Sequence, residues 1–451
     1  MNKTVVIDIV GLSSSLIGDY TPFLKNYVAT HNLTTISPML PAVTTSVQST
    51  YLTGRWPSEH GIVGNGWYDN KECEVKFWKQ SNKLVEADKI WDRAKKADPS
   101  FTCANMFWWY NMYSTADYSV TPRPNYLADG RKIPDCYSHP AHIREELQKE
   151  LGQFPLFTFW GPGANITSTK WIADASVLID KKYDPTLTLI YLPHLDYCLQ
   201  KFGQDFTMIG KHLAEIDQVV EGLVNYYKGK GSQIIFLSEY GITNVENPIH
   251  INRVLREQGL LQIRVERGLE LLDAGASKAF AVADHQLAHI YINDPSAFSK
   301  VKSLAEKLPG VKLVLGKEEQ RKYNIDHERS GDLVLMADEK SWFTYYFWLD
   351  DEKAPDYARV VDIHKKPGYD PVELFMTSKA RAGYKLLRKK LALRYVMDVI
   401  PLDATLVKGS HGSLVEETRF HPVLITDQKL SSGVVATDIY EIIWQHLNLP
   451  E

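Results

Sequence analysis

The chain has 451 residues, enough for more than one hydrophobic core, since single cores stop growing near ~250–300 residues. Its 44% hydrophobic and 24% charged residues are those of an ordinary soluble globular protein. A net charge of −4 and a pI near 6.4 give no electrostatic basis for wrapping nucleic acid. The cysteines Cys73, Cys103, Cys136 and Cys198 are scattered, with no CxxC pair. They read as free thiols in a reducing compartment and not as a disulfide framework or a thiolate metal site. The opening MNKTVVIDIVGL has too short an apolar run for a signal peptide, and no stretch approaches the ~20 apolar residues of a membrane span, so the expected location is cytoplasmic.

In chain order, Thr4–Ile9 (TVVIDI) predicts a first buried strand, ending at Asp8 and followed by Gly11. In SPMLPAVTTSVQSTYLTGRWPSEHGIVGNGW a proline-bounded turn runs into a helix that starts near Thr44 or Thr45. A hydroxyl there gains from the free N–H groups and the positive end of the dipole, although most such residues are caps. The aromatic run Phe107-Trp108-Trp109-Tyr110 reads as core or seam filling, as does the one from Trp342 to Trp348. Thr186–Leu192 predicts a second strand, with Asp196 a few residues beyond it. Next, Ile209, Leu213, Ile216, Val220, Leu223 and Tyr227 step by four and three along one helix face, which Gly229 and Gly231 end. Gln233–Leu237 predicts a third strand, running into Ser238-Glu239-Tyr240-Gly241.

Strand, helix and strand in this order predict an α/β fold, a doubly wound and mostly parallel sheet. The texture changes after about residue 245, where a helix over Ser299–Leu308, strands at VKLVL and GDLVLMA, and an aromatic strand Ser341–Leu349 suggest a smaller α+β cap on a mixed sheet. The expected division is a core of residues 1–245 and 377–451, with a cap inserted at 246–376. The core closes on a helix in ATDIYEIIWQHLNL, with Thr437 or Asp438 as its N-cap.

Ligands of open α/β sheets bind beyond the carboxyl ends of the strands, and here Asp8, Asp196 and Glu239 are delivered to that edge. Three carboxylates there repel one another unless a cation sits among them, and a divalent metal is the economical cation.

The run LTG-x2-P-x2-HGI (Leu52–Ile62), behind Thr44 and a first-strand Asp8, resembles the type I phosphodiesterase/nucleotide pyrophosphatase branch of the alkaline phosphatase superfamily. The resemblance extends over Asp8, residues 38–67, Asp196, Ser238–Gly241, Gly409–Gly412 and the closing helix. It implies an alkaline phosphatase-like core, two divalent metals (usually zinc), a threonine or serine nucleophile and a phosphate-binding asparagine. With Gly54, Pro57, His60 and Gly61 in register, Thr44 matches the nucleophile and Asn65 the asparagine. Asp8 matches the first metal ligand, Asp196 the first ligand of the second metal and His411 that metal's late histidine.

The departures are Glu239-Tyr240 where the family has Asp-His, and Gln200 where it has a histidine four residues past Asp196. A ligand set of Asp8, Thr44, Asp196, Glu239, Tyr240, Gln200 and His411 is richer in oxygen, which favours Mg²⁺ or Mn²⁺ over zinc. Replacement imidazoles are available at His194, His285, His289 and His364, of which His285, beside Asp284, is the best placed. The cysteine or serine motif of sulfatases, a GxSxG elbow, a Walker loop and a GxGxxG turn are all missing. The expected function is metal-dependent hydrolysis of a small-molecule phosphate ester or anhydride through a phosphothreonine intermediate. The rival is a non-catalytic binding or scaffold protein on the same fold with degenerate metal sites.

Overall fold

The computed structural model describes residues 1–129, 131–391, 393–430 and 433–449. A nine-stranded sheet organises most of it, in the order Val434–Val435, Asn32–Ser37, Val423–Thr426, Gln233–Leu237, Thr4–Ile9, Leu187–Leu192, Cys103–Met106, Tyr118–Pro122 and Cys136–His139. Thr4–Ile9 is central and pairs in parallel with Leu187–Leu192 on one side and Gln233–Leu237 on the other. All six of its residues are buried, as are all six of Leu187–Leu192. A strand covered on both faces has no polar face to show, which is why these runs do not alternate. The sheet turns antiparallel toward its flanks, at Val423–Thr426 and Cys136–His139.

The helix Phe206–Gly229 buries its expected stripe of Ile209, Leu213, Ile216, Val220, Leu223 and Tyr227. The closing helix Asp438–Leu447 packs on the first strand and on the helix Thr44–Thr53. Its N-cap is Thr437, not Asp438, in helical conformation and with no side-chain cap bond.

A second hydrophobic cluster gathers residues between Val245 and Val372 around an antiparallel sheet of Ala279–Asp284, Leu287–Ile292, Leu333–Ala337 and Val311–Leu315. That sheet is antiparallel throughout, where a mixed one was expected. The cluster also takes in Ile62, Val63, Trp67 and Phe77, together with Val399 and Ile400. Of the aromatic run, only Ser341–Phe343 is a strand. Tyr345, Tyr346, Phe347 and Trp348 are all buried, and a strand offers its interior only every second residue, so the chain leaves the sheet to bury them together. A two-residue turn joins Ala279–Asp284 to Leu287–Ile292, with His285 at φ 61°, and it carries Asp284 and His285 to the end of the central sheet.

Candidate functional site

Thr44 is the first residue of a helix in which all ten residues are buried. The cap position belongs to Val43, whose side chain has no polar atom to cap with, and the Thr44 hydroxyl is not spent there. It lies 2.8 Å from the Tyr240 hydroxyl, which donates to Asp196 Oδ1 at 3.3 Å. The other Asp196 oxygen accepts from Gln200 Nε2 at 2.8 Å, and Gln200 Oε1 accepts from the Tyr369 hydroxyl at 2.8 Å. Asp196 and Gln200 are neighbours because four residues make about one turn of the helix His194–Phe202.

A second set surrounds Gln48, one turn on from Thr44. Gln48 Nε2 donates to Glu239 Oε1 at 2.5 Å and reaches Asp8 Oδ2 at 3.5 Å, while its Oε1 accepts the Trp109 N–H at 2.7 Å. Asp8 Oδ1 and Glu239 Oε2 are buried without partners. Burial, reinforced by neighbouring Glu239, holds the Asp8 carboxyl well above the usual range, and burial also raises Glu239. Burial and then Glu239 push Asp196 up to about 7.

The third set comes from the second cluster. Asn65 Oδ1 accepts the Thr45 N–H at 3.1 Å. Asn65 in turn donates to Asp284 from its own N–H at 2.7 Å and from Nδ2 at 3.1 Å. Burial raises Asp284 to about 6, against the pull of these bonds. His285 Nδ1 shares an Asp284 oxygen at 2.8 Å, and its ring lies 3.6 Å from Tyr369 and 3.8 Å from His411. His411 stacks on Tyr240 at 3.6 Å, donates from Nδ1 to the Ala42 carbonyl at 2.7 Å, and holds Nε2 3.6 Å from Asp196 Oδ1 with no hydrogen-bond partner. Burial keeps both imidazoles neutral, with pKa values well below the usual.

Thr44, Asn65, Asp8, Asp196, Gln200, Glu239, Tyr240, His285 and His411 therefore share one buried network. His289 and His364 lie outside it: His289 binds the Val63 carbonyl and the Gly331 N–H, and His364 the Phe77 carbonyl. His194 faces His212. Sequence reasoning missed Gln48 and Tyr369. Gln48 had a signal, its four-residue spacing from Thr44 on one helix face, whereas Tyr369 had none.

The donor chemistry distinguishes two places for a metal. Two buried carboxylate oxygens without partners, on acids with no cation beside them, fit a hard oxygen-seeking ion at Asp8 and Glu239. At Asp196 and His411 the fit fails. The Gln200 carbonyl is given to Tyr369 and the Tyr240 hydroxyl to Thr44 and Asp196, which leaves Asp196 and His411; among the described residues neither His285 nor another acid, imidazole or thiol joins them within 4.8 Å, where zinc takes three or four protein ligands.

Two small concavities flank the network. One, with about 10 Å³ of room for water, is lined by Ala42, Glu239, Tyr240 and Ser413. The other, also with about 10 Å³ of room for water, is lined by Trp78, Trp160, Lys366 and Tyr369. Phe107, Trp108 and Tyr110 are core residues, as expected of their run, while Trp109 lies 4.7 Å from Trp78.

Among curated proteins the chain is similar to ectonucleotide pyrophosphatase/phosphodiesterase 2 of Saccharomyces cerevisiae, 26% identical over 388 residues, spanning 80% of this chain and 68% of that protein. It is also similar to an uncharacterized pyrophosphatase/phosphodiesterase of Schizosaccharomyces pombe, 25% identical, of which it spans 47%. Among solved structures, murine ectonucleotide pyrophosphatase/phosphodiesterase 5 in complex with AMP has the same fold, with TM-score 0.61 and 16% identity over 100% of this chain and 96% of that one. A phosphonoacetate hydrolase of Sinorhizobium meliloti 1021 with phosphonoformate does too, with TM-score 0.59 and 15% identity over 99% and 96%. The model of the type I phosphodiesterase/nucleotide pyrophosphatase family matches residues 4–370, and the chain belongs to that family of hydrolases on an alkaline phosphatase-like α/β fold.

Proposed function

We propose that the chain hydrolyses a phosphodiester or pyrophosphate bond with Thr44 as its nucleophile. The observation that carries this reading is the hydroxyl chain from Thr44 through Tyr240 to Asp196. Thr44 Oγ1 attacks phosphorus and the bond to the leaving oxygen breaks. The Thr44 proton passes to Tyr240 Oη as the tyrosine's own proton passes to Asp196 Oδ1. Tyr240 thereby stays neutral, which its burial demands, since a lone phenolate there is held well above the usual pKa. Asp196, pushed up to about 7, suits a base that accepts a proton near neutrality and returns it to the leaving oxygen. A phosphothreonine results, and water releases it by the reverse proton path. The second Nδ2 hydrogen of Asn65 binds a non-bridging oxygen, its amide being oriented by Asp284.

The family is a divalent-metal-dependent one. In this chain we assign one ion to Asp8 and Glu239, beside Thr44, with Mg²⁺ or Mn²⁺ better matched to the donors than zinc. Such an ion supplies Lewis-acid polarisation of a phosphoryl oxygen. The AMP bound by the murine relative makes a nucleotide the first substrate to test, and the rings of Trp78, Trp160 and Tyr369, packed on one another beside the network, suit a planar group. Residues 246–376 act in this reading as the cap that chooses the substrate, keyed to the core through Asp284 and Asn65. The four free cysteines support a cytoplasmic location, and among the described residues no helix is long and apolar enough to cross a membrane.

Tyr240→Phe tests the relay. It keeps the ring stacked on His411 and removes only the hydroxyl. With a chromogenic phosphodiester, kcat is expected to fall about 100-fold or more, general acid–base transfer being worth ~10²–10⁴. The rise of kcat through the titration of Asp196, near pH 7, should vanish with it. An unchanged kcat and pH profile would remove Tyr240 and Asp196 from the proton path.

A further inference from the structure

Outside the network, His194, at the start of the helix His194–Phe202, meets His212 and Glu215, which lie one turn apart on the helix Phe206–Gly229. His194 Nε2 is 3.1 Å from His212 Nδ1 and 3.4 Å from Glu215 Oε2, and His212 Nδ1 is 3.8 Å from the same oxygen. Among the described residues this is the one group of three acid, imidazole or thiol side chains whose ligand atoms gather within 4.8 Å of one another.

The triangle has the dimensions of a metal site. The point equidistant from its three atoms lies about 2.0 Å from each, and tetrahedral coordination at ~2.0–2.1 Å separates ligand atoms by about 3.3 Å. His194 is 2% exposed and all its polar contacts are within this group, its Nδ1 having no partner. Lys211 lies 3.5 Å from Glu215 Oε1, which leaves Oε2 turned to the imidazoles. The side chains of His212 and Glu215 are 23% and 25% exposed, so solvent reaches the fourth position.

We infer that His194, His212 and Glu215 bind one divalent transition-metal ion of the zinc, cobalt or nickel type. Two imidazoles with one carboxylate favour such an ion over Mg²⁺ or Ca²⁺. The ion ties two helices together and fixes the turn that presents Asp196, so its role is positional. His212 and Glu215 are spaced i, i+3 on one helix face, the signal by which the sequence announces them.

The test uses the full chain, stripped with a chelator and titrated with Co²⁺. The wild type should show a tetrahedral Co²⁺ absorption band that one equivalent of Zn²⁺ abolishes. His212→Gln and Glu215→Gln, both at partly exposed positions, should lose that band or weaken Co²⁺ binding at least tenfold, and should lose the Zn²⁺-dependent rise in Tm. Asp8→Asn/Glu239→Gln should retain both. A band and Tm response that survive in His212→Gln and Glu215→Gln, or disappear in the Asp8/Glu239 pair, would overturn the site.

The helix Lys379–Lys390 has no buried residue. Between residues 379 and 397 stand seven lysines and arginines and no acid, in a chain of net charge −4. Tyr384, Leu387 and Leu391 are 54%, 53% and 60% exposed and form one stripe at helical spacing. Arg381 and Lys385 reach Asp398 at 2.6 and 2.7 Å, and Ala382 packs on the second cluster. On a 3.6-residue helix these three lie opposite the stripe. The helix thus docks by its polar side and turns its apolar side outward, the reverse of an ordinary surface helix.

The geometry points to an anionic lipid surface as the occupant. The stripe is a single convex ridge with cations beside it, which needs no complementary groove, and long lysine and arginine side chains let apolar neighbours sink while their charges stay among headgroups. The whole protein should float with vesicles of phosphatidylcholine containing about 30% phosphatidylserine, weakly or not at all with pure phosphatidylcholine, and less as salt rises. Leu387→Gln/Leu391→Gln and Arg388→Glu/Lys390→Glu should each reduce flotation at least tenfold while hydrolysis of a soluble diester is unchanged. No flotation with anionic vesicles at low salt, or flotation indifferent to both pairs, would overturn it.

Discussion

Thr44→Ala is expected to lower kcat/KM for a phosphodiester by at least about 1,000-fold, the scale on which nucleophile deletions act. The fold should survive, because the hydroxyl has one side-chain partner, Tyr240, and performs no capping. The neighbouring control is Thr45→Ala. Its hydroxyl donates to the Gly64 carbonyl at 2.9 Å, so its loss should cost about 1 kcal/mol of stability and little activity. Steady-state kinetics with a chromogenic diester, beside thermal unfolding, separates the two. Comparable activity in Thr44→Ala and wild type would mean that another group attacks phosphorus.

The second large effect is on stability. Asp8, Glu239, Asp196 and Asp284 all have folded pKa values above the usual carboxylate range, with Asp196 near 7 and Asp284 near 6. Between about 4, where these acids titrate in the unfolded chain, and those values, the folded state holds more protons than the unfolded one. Their contribution to the stability of the metal-free protein then falls as pH rises through that window, while the buried histidines, held low, contribute in the opposite sense up to about pH 6.5. Asp196 alone, raised from 3.8 to about 7, accounts for on the order of 4 kcal/mol. Above about pH 6.5, where the histidines no longer titrate in the unfolded chain, chelator-treated protein should lose Tm up to pH 8, and Mn²⁺ or Mg²⁺ should restore it, a ligand at 100 times its Kd stabilising by about 2.7 kcal/mol. Asp8→Asn, which removes one of two facing carboxylates, should raise the Tm of the metal-free protein at pH 8 and abolish the response to added metal. A metal-free Tm that climbs between pH 7 and pH 8, or an Asp8→Asn protein that still responds to Mn²⁺, would contradict the assignment of that pair.

How much of this was legible in the sequence depends on how local each signal is. Thr4–Ile9 and Gln233–Leu237 are read to the residue because strands covered on both faces carry a nearly continuous apolar run. The flanking strands are not, since Asn32–Ser37 exposes three of its six residues and Val434–Val435 has only two. Asp8, Thr44, Asp196 and Glu239 stand at strand ends and helix starts, where sequence position already implies spatial position. Gln48 and Tyr369 act through contacts that exist only after folding. Tyr240 is the instructive case: taken as a ligand, its phenol is a poor substitute for imidazole, but between Thr44 and Asp196 it is a neutral carrier of a proton. Only the fold puts those two hydrogen bonds side by side.

The proposed hydrolysis passes through a covalent bond to Thr44, and the most direct measurement is its capture. Rapid acid quench of the enzyme turning over a phosphodiester with a good leaving group, followed by peptide mass spectrometry, should find the phosphoryl adduct on Thr44. The adduct should form as leaving group is released in a burst, and should be missing from Thr44→Ala. Turnover with no burst and an unmodified Thr44 peptide, in protein that is demonstrably active, would contradict it.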